Sequence, residues 1–324
     1  MQIDTRLTRR LKIAHPILSA PMAFAAGGGL AAAVTHAGGL GFIGGGYGAS
    51  DWLTEQFKAA GNAPIGCGFI TWSLRKNPAL LDQALAHGPT AIFLSFDDPH
   101  PFAATIKKAG ALLIQQVQTR RDAEVAIDAG ADIIVAQGAE AGGHGEKRAT
   151  MTLVPEVADL LAARSPTTLL CAAGGIADGR GMAAALMLGA DGVVVGTRFW
   201  AAREALVHSN MHAAALAASG DDTVRQSVTD IARGLQWPKR FDIRVVRNAY
   251  IQNWQGREDD LRSAGEDERA RYAAAVAGGD ASMAATIVGE AVGLIDSVEP
   301  ASVIVERMVA EASRLLQRGT HIAN

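Results

Sequence analysis

Residues 132–145 read DIIVAQGAEAGGHG, an apolar run followed at once by a glycine-rich segment that carries one histidine. The apolar run is typical of a strand that is buried on both faces of a parallel sheet. Glycines let the backbone approach a ligand closely, and a histidine beside them can titrate near neutral pH. Loops at strand ends often carry function, so His144 is a candidate catalytic residue. The alternative interpretation is an ordinary turn with a solvent-facing histidine.

Similar apolar runs alternate with longer, alanine-rich segments between residues 16 and 196. Parallel strands must be joined by crossovers, usually helices, so the alternation predicts an α/β fold with a parallel sheet. Eight strands that are nearly all apolar favour closure into a (β/α)8 TIM barrel, and an open doubly wound sheet is the alternative. The predicted strands are 17–20, 40–44, 65–69, 91–96, 111–116, 132–136, 168–172 and 192–195. The predicted helices lie near 28–37, 51–60, 77–87, 101–109, 119–129, 154–164 and 178–188.

The alternation stops after residue 200. Residues 204–294 are mostly polar with a helical pattern and no clear strand, so we expect a helical insertion there. The insertion would separate the eighth strand from a last amphipathic helix, predicted over 297–317. The predicted domains are a barrel formed by 1–203 plus 295–324 and a helical lid or substrate domain formed by 204–294. Such an insertion would lie at the carboxyl ends of the strands, where barrel enzymes place their active sites.

The composition is that of an ordinary globular protein. The chain has 324 residues, 49% of them apolar and 19% charged, and its net charge of -3 gives no indication of binding to nucleic acid or to an anionic membrane. No secretory signal pattern is visible, and the glycines between residues 27 and 48 argue against a membrane span. Cys67 and Cys171 lie in apolar runs, so we expect buried free thiols and a reducing, cytoplasmic location.

Several motifs can be set aside. The hexapeptide GLGFIG at 39–44 has the spacing of a dinucleotide-binding loop, but it lies within a predicted strand instead of between a strand and a helix. The sequence contains no P-loop, no G-x-S-x-G elbow and no set of His, Cys, Asp and Glu with metal-ligand spacing. Glu140 could orient His144 or cap the backbone, and capping is favoured.

Two glycine turns follow the seventh and eighth predicted strands. The first contains Gly174 and Gly175, and the second contains Val195, Gly196 and Thr197. In a barrel, backbone N–H groups at these two positions form an anion nest that can bind a phosphate. Either turn alone is explained by plain turn chemistry, but the two together, after consecutive strands, predict phosphate binding.

Neutral amides and an apolar floor accompany the predicted phosphate site. Gln116 is the last residue of the fifth predicted strand, and Gln137 directly follows the sixth. Met22 comes shortly after Ala20, the last residue of the first predicted strand. Amides suit hydrogen bonds to a heterocycle, although a polar strand terminus explains them equally well, and a methionine can cover an aromatic face. Together these features indicate a phosphorylated heterocyclic cofactor, and FMN fits them.

The chain resembles the nitronate monooxygenase family, formerly called 2-nitropropane dioxygenases, over nearly its whole length. The resemblance lies in segments 15–22, 30–46, 137–145, 172–181, 189–199 and 289–295, of which the Glu-Ala-Gly-Gly-His-Gly loop is the most diagnostic. It implies a TIM barrel that holds non-covalent FMN beneath a helical second domain, with His144 as the active-site histidine. The residues predicted to contact the flavin or its phosphate are Ala20, Met22, Gly68, Gln116, Gln137, Gly142, Gly143, Gly174, Gly175, Val195, Gly196 and Thr197.

Two positions depart from the family pattern. Gly68 stands where many relatives carry Asn, and Gln116 stands where some related flavin reductases carry Lys. The first change removes a side-chain contact to the flavin, and the second alters the charge near it. Because the same Gly-Gly-His loop occurs in related flavin reductases, the loop identifies the cofactor better than it identifies the substrate.

The resemblance implies oxidation of alkyl nitronates, and of nitroalkanes, with O2 to carbonyl compounds and nitrite. His144 would bind the negative oxygen of the nitronate or remove the α proton of a nitroalkane. The alternative within the superfamily is NAD(P)H-dependent reduction of enoyl thioesters or quinones. The alternative outside it is a flavin-free barrel that acts on a sugar phosphate as a lyase or isomerase. A homodimer is compatible with the sequence.

Overall fold

The computed structural model describes residues 3–322, and the side chains of residues 3–318. Short strands alternate with helices from residue 17 to residue 195, as the pattern of the sequence predicts. The strands are β1 (Ile17–Ser19), β2 (Phe42–Gly44), β3 (Gly66–Ile70), β4 (Ala91–Ser95), β5 (Leu112–Val117), β6 (Ile133–Gln137), β7 (Gly143–Gly145), β8 (Leu169–Ala173), β9 (Gly192–Val195), β10 (Thr223–Gln226) and β11 (Asp242–Val246).

Helices follow most strands and dominate the last third of the chain. They are α1 (Arg6–Leu11), α2 (Gly28–His36), α3 (Ser50–Ala60), α4 (Thr71–Leu74), α5 (Ala79–Ala86), α6 (His100–Lys108), α7 (Arg120–Asp128), α8 (Thr150–Arg164), α9 (Gly179–Met187), α10 (Thr197–Trp200), α11 (Ser209–Leu216), α12 (Val228–Ala232), α13 (Ala249–Trp254), α14 (Glu258–Ser263), α15 (Gly265–Gly278) and α16 (Ala301–Ile322). Short 3-10 helices lie at Gly220–Asp222 and Glu290–Leu294.

Eight strands form one parallel sheet in the order β1-β9-β8-β6-β5-β4-β3-β2. The sheet closes on itself because β1 also pairs with Leu40, which directly precedes β2. The Ser19 N–H donates to the Leu40 carbonyl at 3.1 Å, and the Leu40 N–H donates to the Ile17 carbonyl at 3.0 Å. The predicted TIM barrel is therefore confirmed, and the open doubly wound sheet is excluded. The glycine-rich hexapeptide at 39–44 lies in this closing strand, as predicted.

Each barrel strand is buried on both faces, which explains its continuous apolar sequence. Along β8, Leu169, Cys171 and Ala173 point into the barrel, whereas Leu170 and Ala172 pack against the surrounding helices. Inside the barrel, Phe42 and Phe93 meet edge to face, with ring centroids 5.6 Å apart. The two cysteines, Cys67 and Cys171, are both buried and free, as predicted.

Helix α1 closes the amino-terminal end of the barrel, although the sequence did not indicate it. Leu7 is fully buried among the side chains of the barrel interior. Arg6 anchors the helix to the loop before β9, because its guanidinium donates to both carboxylate oxygens of Asp191 at 2.8 and 2.7 Å. The opposite end of the barrel is left open for a site.

The predicted eighth barrel helix is confirmed as α16. It packs against α9 and α2, and the carboxylate of Glu311 accepts the Gly179 N–H at 2.8 Å. Within residues 3–322, none of the helices combines the length and the apolar character that a membrane crossing requires.

The prediction that residues 204–294 contain no strand is wrong. Strands β10 and β11 pair antiparallel with each other, and β11 also pairs antiparallel with β7, the segment that carries His144. Both strands are short and lie in a polar region. Strand β11 alternates buried Ile243 and Val245 with more exposed residues, whereas β10 does not alternate, so their periodicity is weak in the sequence. Because β7 supplies one edge, the insertion and the histidine loop form one three-stranded sheet.

Candidate active site

The main cavity lies at the carboxyl ends of the barrel strands, beneath the insertion. It encloses about 1260 Å³ of non-protein space including its open mouth, which is ample for a cofactor and a small substrate. Twelve of the thirteen predicted site residues line it: Ala20, Met22, Gly68, Gln116, Gln137, Gly142, Gly143, His144, Gly174, Gly175, Gly196 and Thr197. The exception is Val195, whose side chain is buried between the strands and the helices and whose carbonyl accepts the Ala20 N–H.

The two predicted glycine turns present free backbone donors to one part of this cavity. Within the described part of the chain, the N–H groups of Gly174, Gly175, Gly196 and Thr197 find no acceptor. Gly174 and Gly175 have φ values of 100° and 74°, which glycine adopts without strain. The Thr197 hydroxyl accepts the Gly289 N–H at 2.9 Å, so its own proton remains available to donate. The residues therefore fit a phosphate.

The two glutamines form a network that leaves one donor and one acceptor free. The Gln137 side-chain oxygen accepts hydrogen bonds from the amides of Gln116, at 3.0 Å, and Gln118, at 2.9 Å. The Gln137 Nε2 and the Gln116 Oε1 have no partner among the described residues, and both residues line the cavity. A flavin carries alternating ring carbonyls and an N–H, so this pair fits its polar edge.

Gly68 has a steric reason to lack a side chain. A Cβ at this position would lie 2.3 Å from the Pro21 Cβ, which is closer than van der Waals contact allows. Pro21 and Met22 thus occupy the space beside β3 and form the apolar floor of the cavity. The absence of a side chain at residue 68 follows from this close packing.

His144 is buried and hydrogen bonded to a carboxylate from the insertion. Its Nε2 lies 2.8 Å from the Oδ2 of Asp230, a residue of α12, and the two residues are 7% and 3% exposed. Burial lowers the pKa of His144 below its ordinary value, and the hydrogen bond to Asp230 acts in the opposite direction. The imidazole is therefore neutral at pH 7, and its Nδ1 has no partner among the described residues.

Aromatic side chains form a wall around the imidazole. The Trp237 ring stacks on the His144 ring with centroids 3.3 Å apart, and Phe96 meets His144 edge to face at 6.2 Å. The Trp237 indole N–H donates to the Tyr47 hydroxyl at 3.1 Å. Phe96 has a φ of 67°, which is strained for a bulky residue and directs its ring toward the site. The wall makes the region above the histidine apolar.

Two charged side chains, Glu140 and Arg225, restrain the loop that carries His144. The Glu140 carboxylate accepts the N–H and the hydroxyl of Thr150 at the start of α8, so Glu140 caps the backbone, as predicted. The Arg225 guanidinium donates to the carbonyls of Ala139, at 2.9 Å, and Ala141, at 3.2 Å. The loop is glycine-rich, and these contacts restrict its conformations.

Sequence reasoning missed the residues that the insertion and the aromatic wall contribute. Asp230 stands in an unremarkable helical stretch, and nothing in the sequence links it to His144, which lies 86 residues away. Trp237 offered a weak signal, because it is an aromatic residue next to a proline within a polar segment. Among the side chains of residues 3–318, no group of His, Cys, Asp and Glu is arranged to hold a metal ion.

Comparison with known proteins identifies relatives along nearly the whole chain. The family model for nitronate monooxygenase matches residues 4–71 and 74–311. The nitronate monooxygenase npaC of Metarhizium robertsii is 37% identical in an alignment of length 331 that covers 93% of this chain and 91% of the relative.

Solved structures share the architecture. FabK from Thermotoga maritima is 31% identical, with a TM-score of 0.84 and coverage of 99% of both chains. The nitroalkane oxidase from Streptomyces ansochromogenes is 25% identical, with a TM-score of 0.78 and coverage of 96% of this chain and 99% of that one.

Proposed function

This chain belongs to the nitronate monooxygenase family, and from that premise we propose that it is an FMN-dependent oxidoreductase of alkyl nitronates. It would convert nitronates, and nitroalkanes after loss of their α proton, to carbonyl compounds and nitrite with O2. The observation that carries the proposal is that a buried, neutral histidine and a cluster of unpaired backbone donors line the same cavity.

The residues divide into those that would hold FMN and those that would handle the substrate. Gly174, Gly175, Gly196 and Thr197 would bind the phosphate, while Gln116 and Gln137 would meet the polar edge of the ring. The redox chemistry would be supplied by bound FMN, which exchanges electrons with the nitronate and with O2. The protein itself would bind and orient the substrate and remove its α proton.

His144 has the properties of a base for a neutral nitroalkane. Its Nε2 is occupied by Asp230, so the unpaired Nδ1 is the atom that can take a proton. Burial keeps the imidazole neutral, and a neutral imidazole can accept a proton at pH 7. A positioned base of this kind contributes about 10²–10⁴-fold to the rate.

We also propose that residues 204–294 act as a lid over the substrate. The support is that Asp230 and Trp237, which contact His144, both belong to this insertion. A cytoplasmic location forms part of the same proposal, because two buried free thiols suit a reducing compartment. The oligomeric state stays a prediction.

The test is anaerobic reduction of the purified protein, followed by absorbance. We expect a yellow protein whose flavin band is bleached rapidly by ethyl nitronate and slowly or not at all by NADH. Rapid bleaching by NADH with no response to the nitronate would reject the proposal. A colourless protein that does not take up FMN would favour the sugar-phosphate barrel instead.

One observation favours keeping a second candidate. The structure is at least as similar to FabK as to a nitroalkane oxidase, so the architecture is not confined to proteins named for nitro compounds. The second candidate is therefore the NAD(P)H-dependent reduction of enoyl thioesters or quinones at the same site. The same anaerobic experiment separates the two, because only this candidate requires reduction by the pyridine nucleotide.

A further inference from the structure

Asp230 is a buried carboxylate whose one hydrogen bond among the described residues is to the imidazole of His144. Its Oδ2 lies 2.8 Å from the His144 Nε2, and its Oδ1 is buried without a partner. The nearest cation, the Arg233 Nη1, lies 3.9 Å from that Oδ1, beyond hydrogen-bond distance. Burying a carboxylate with an unsatisfied oxygen is costly, so the fold alone does not account for this residue.

The geometry determines which nitrogen of His144 carries the proton. An ionised carboxylate only accepts hydrogen bonds, so a neutral imidazole facing Asp230 must carry its proton on Nε2. The lone pair is then on Nδ1, which has no partner among the described residues. Trp237 lies parallel to the imidazole, with 9° between the ring planes, and so restricts rotation of the ring.

We propose that Asp230 is a positioning residue that holds His144 as the Nε2–H tautomer with a basic Nδ1, and that Trp237 holds the plane of the ring. The insertion thereby completes the catalytic base of the barrel. The inference rests on the proposed role of His144 as the base. It also predicts selectivity: Asp230 matters for a neutral nitroalkane, which must lose a proton, and much less for a preformed nitronate, which has already lost it.

The charges around His144 predict a pH signature. Asp230 raises the pKa of His144 through its hydrogen bond and its charge, whereas burial, Arg233 and Arg225 lower it, with burial the largest effect. Tyr47, whose pKa is raised by burial, stays neutral. Removing the carboxylate should therefore lower the pKa of His144 further. The acid limb of kcat/KM for a nitroalkane should move to lower pH in Asp230→Asn, while the plateau falls.

The first test is made on the unaltered holoenzyme. Long-range proton–nitrogen NMR spectra of protein labelled with 15N-histidine distinguish the two neutral tautomers and the imidazolium, and His144→Gln identifies the signal. We expect a neutral Nε2–H ring at pH 7.5, which becomes a mixture of tautomers in Asp230→Asn. An Nδ1–H ring or an imidazolium in the unaltered protein, or an unchanged tautomer in Asp230→Asn, would overturn the inference.

The second test is steady-state kinetics with two substrates. In Asp230→Asn, kcat for nitroethane should fall about 10²-fold, within the range that a positioned base contributes, with little change in KM. The kcat for ethyl nitronate should change little. Asp259→Asn is the matched control, because Asp259 is an exposed carboxylate of the same insertion, with a side chain 98% accessible, and should keep both activities.

The outcomes separate this inference from the proposed function. Equal losses for nitroethane and ethyl nitronate would mean that Asp230 supports the fold or the flavin instead of the base, and would reject the inference alone. Absence of turnover with either substrate in the unaltered enzyme would reject the proposed function. The NMR result would still report the tautomer of His144 in that case.

Discussion

At the scale of single residues, the phosphate site depends on backbone N–H groups that need open space in front of them. A Cβ on Gly196 would meet only the Ala20 Cβ at 3.6 Å and the Met22 Sδ at 4.0 Å, both ordinary contacts. The φ of Gly196 is -102°, which any residue can adopt. An alanine here should therefore fold normally and place its methyl group inside the cavity.

We expect Gly196→Ala to weaken FMN binding about tenfold or more, equivalent to about 1.4 kcal/mol, while the melting temperature of the flavin-free protein stays the same. Fluorescence titration with FMN and thermal unfolding measure the two quantities. Gly29→Ala is the control, because a Cβ on Gly29 meets nothing within 4 Å. Unchanged affinity in Gly196→Ala would mean that the phosphate lies elsewhere.

His144 is the residue through which proton removal would proceed. We expect His144→Gln to retain FMN and to lose turnover of nitroethane by about 10²–10⁴-fold. In the unaltered enzyme, burial lowers the pKa of His144 below its ordinary value of 6.5. Activity should therefore be constant above pH 6.5, and it should decline at lower pH, where the ring gains a proton. Steady-state rates between pH 5 and pH 9 measure this limb. His36→Gln, at an exposed histidine, should behave like the parent, and full activity in His144→Gln would contradict the assignment.

At the scale of elements, the three-stranded sheet fixes a loop that glycine would otherwise leave mobile. Arg225 on β10 donates to three carbonyls of the histidine loop and, at 2.7 Å, to the carbonyl of Asp242 on β11. Burial, with a smaller effect from neighbouring Arg244, lowers the pKa of Arg225 to about 10, so it is still a cation at neutral pH. Its planar fork is what allows one side chain to reach several carbonyls.

Arg225→Lys should therefore loosen the loop, because an ammonium cannot span the same acceptors. We expect a loss of stability of about 1–3 kcal/mol, because partly buried carbonyls of the loop lose a charged donor. Faster hydrogen exchange should appear at residues 139–145. Denaturant unfolding and hydrogen exchange measured by mass spectrometry test both points.

Arg257→Lys is the control for this substitution, since Arg257 is exposed and contacts only its own surroundings in the insertion, through an ion pair with Asp260 and a contact with the Trp254 ring, among the described residues. Exchange that is unchanged in residues 139–145 of Arg225→Lys would show that the other contacts of the loop, among them the pairing with β11 and the contact of Glu140 with Thr150, are enough to hold it. The elements would then position His144 without help from the guanidinium.

At the scale of the whole molecule, the cavity joins the ends of barrel strands to the insertion. Its lining comes from residues that end or follow all eight barrel strands, and from residues of the insertion that include Arg233, Trp237 and Ile243. A ligand that bridges these elements should stabilise the fold as a unit. Ligand at 100 times its Kd adds about 2.7 kcal/mol to the free energy of unfolding.

FMN should thus raise the melting temperature of the flavin-free protein, and riboflavin at the same concentration should raise it less. Riboflavin lacks the phosphate, so it cannot use the free N–H groups of Gly174, Gly175, Gly196 and Thr197. Differential scanning fluorimetry compares the two ligands. Equal shifts would show that the glycine turns do not bind phosphate.

The barrel was predictable from the chain because its strands are apolar on both faces and its helices are regularly spaced. Strand β6 was predicted over 132–136 and lies at Ile133–Gln137, and the eighth helix was recognised across an insertion of some ninety residues. The glycine turns were also predictable, because strand ends in a barrel meet at one edge. Periodicity and position along the chain are local properties, so the sequence alone determined them.

Only the tertiary structure decided what completes the histidine. The pairing of β11 with β7 joins residues about 100 positions apart, and the 2.8 Å contact between His144 and Asp230 joins residues 86 positions apart. Neither leaves a repeating pattern, because an edge pairing of three residues and a single carboxylate depend on how the insertion folds back over the barrel mouth. Likewise, Gly68 is explained by Pro21, which follows β1, and not by its neighbours in the chain. Such long-range contacts arise from packing in three dimensions, and no local regularity in the chain records them.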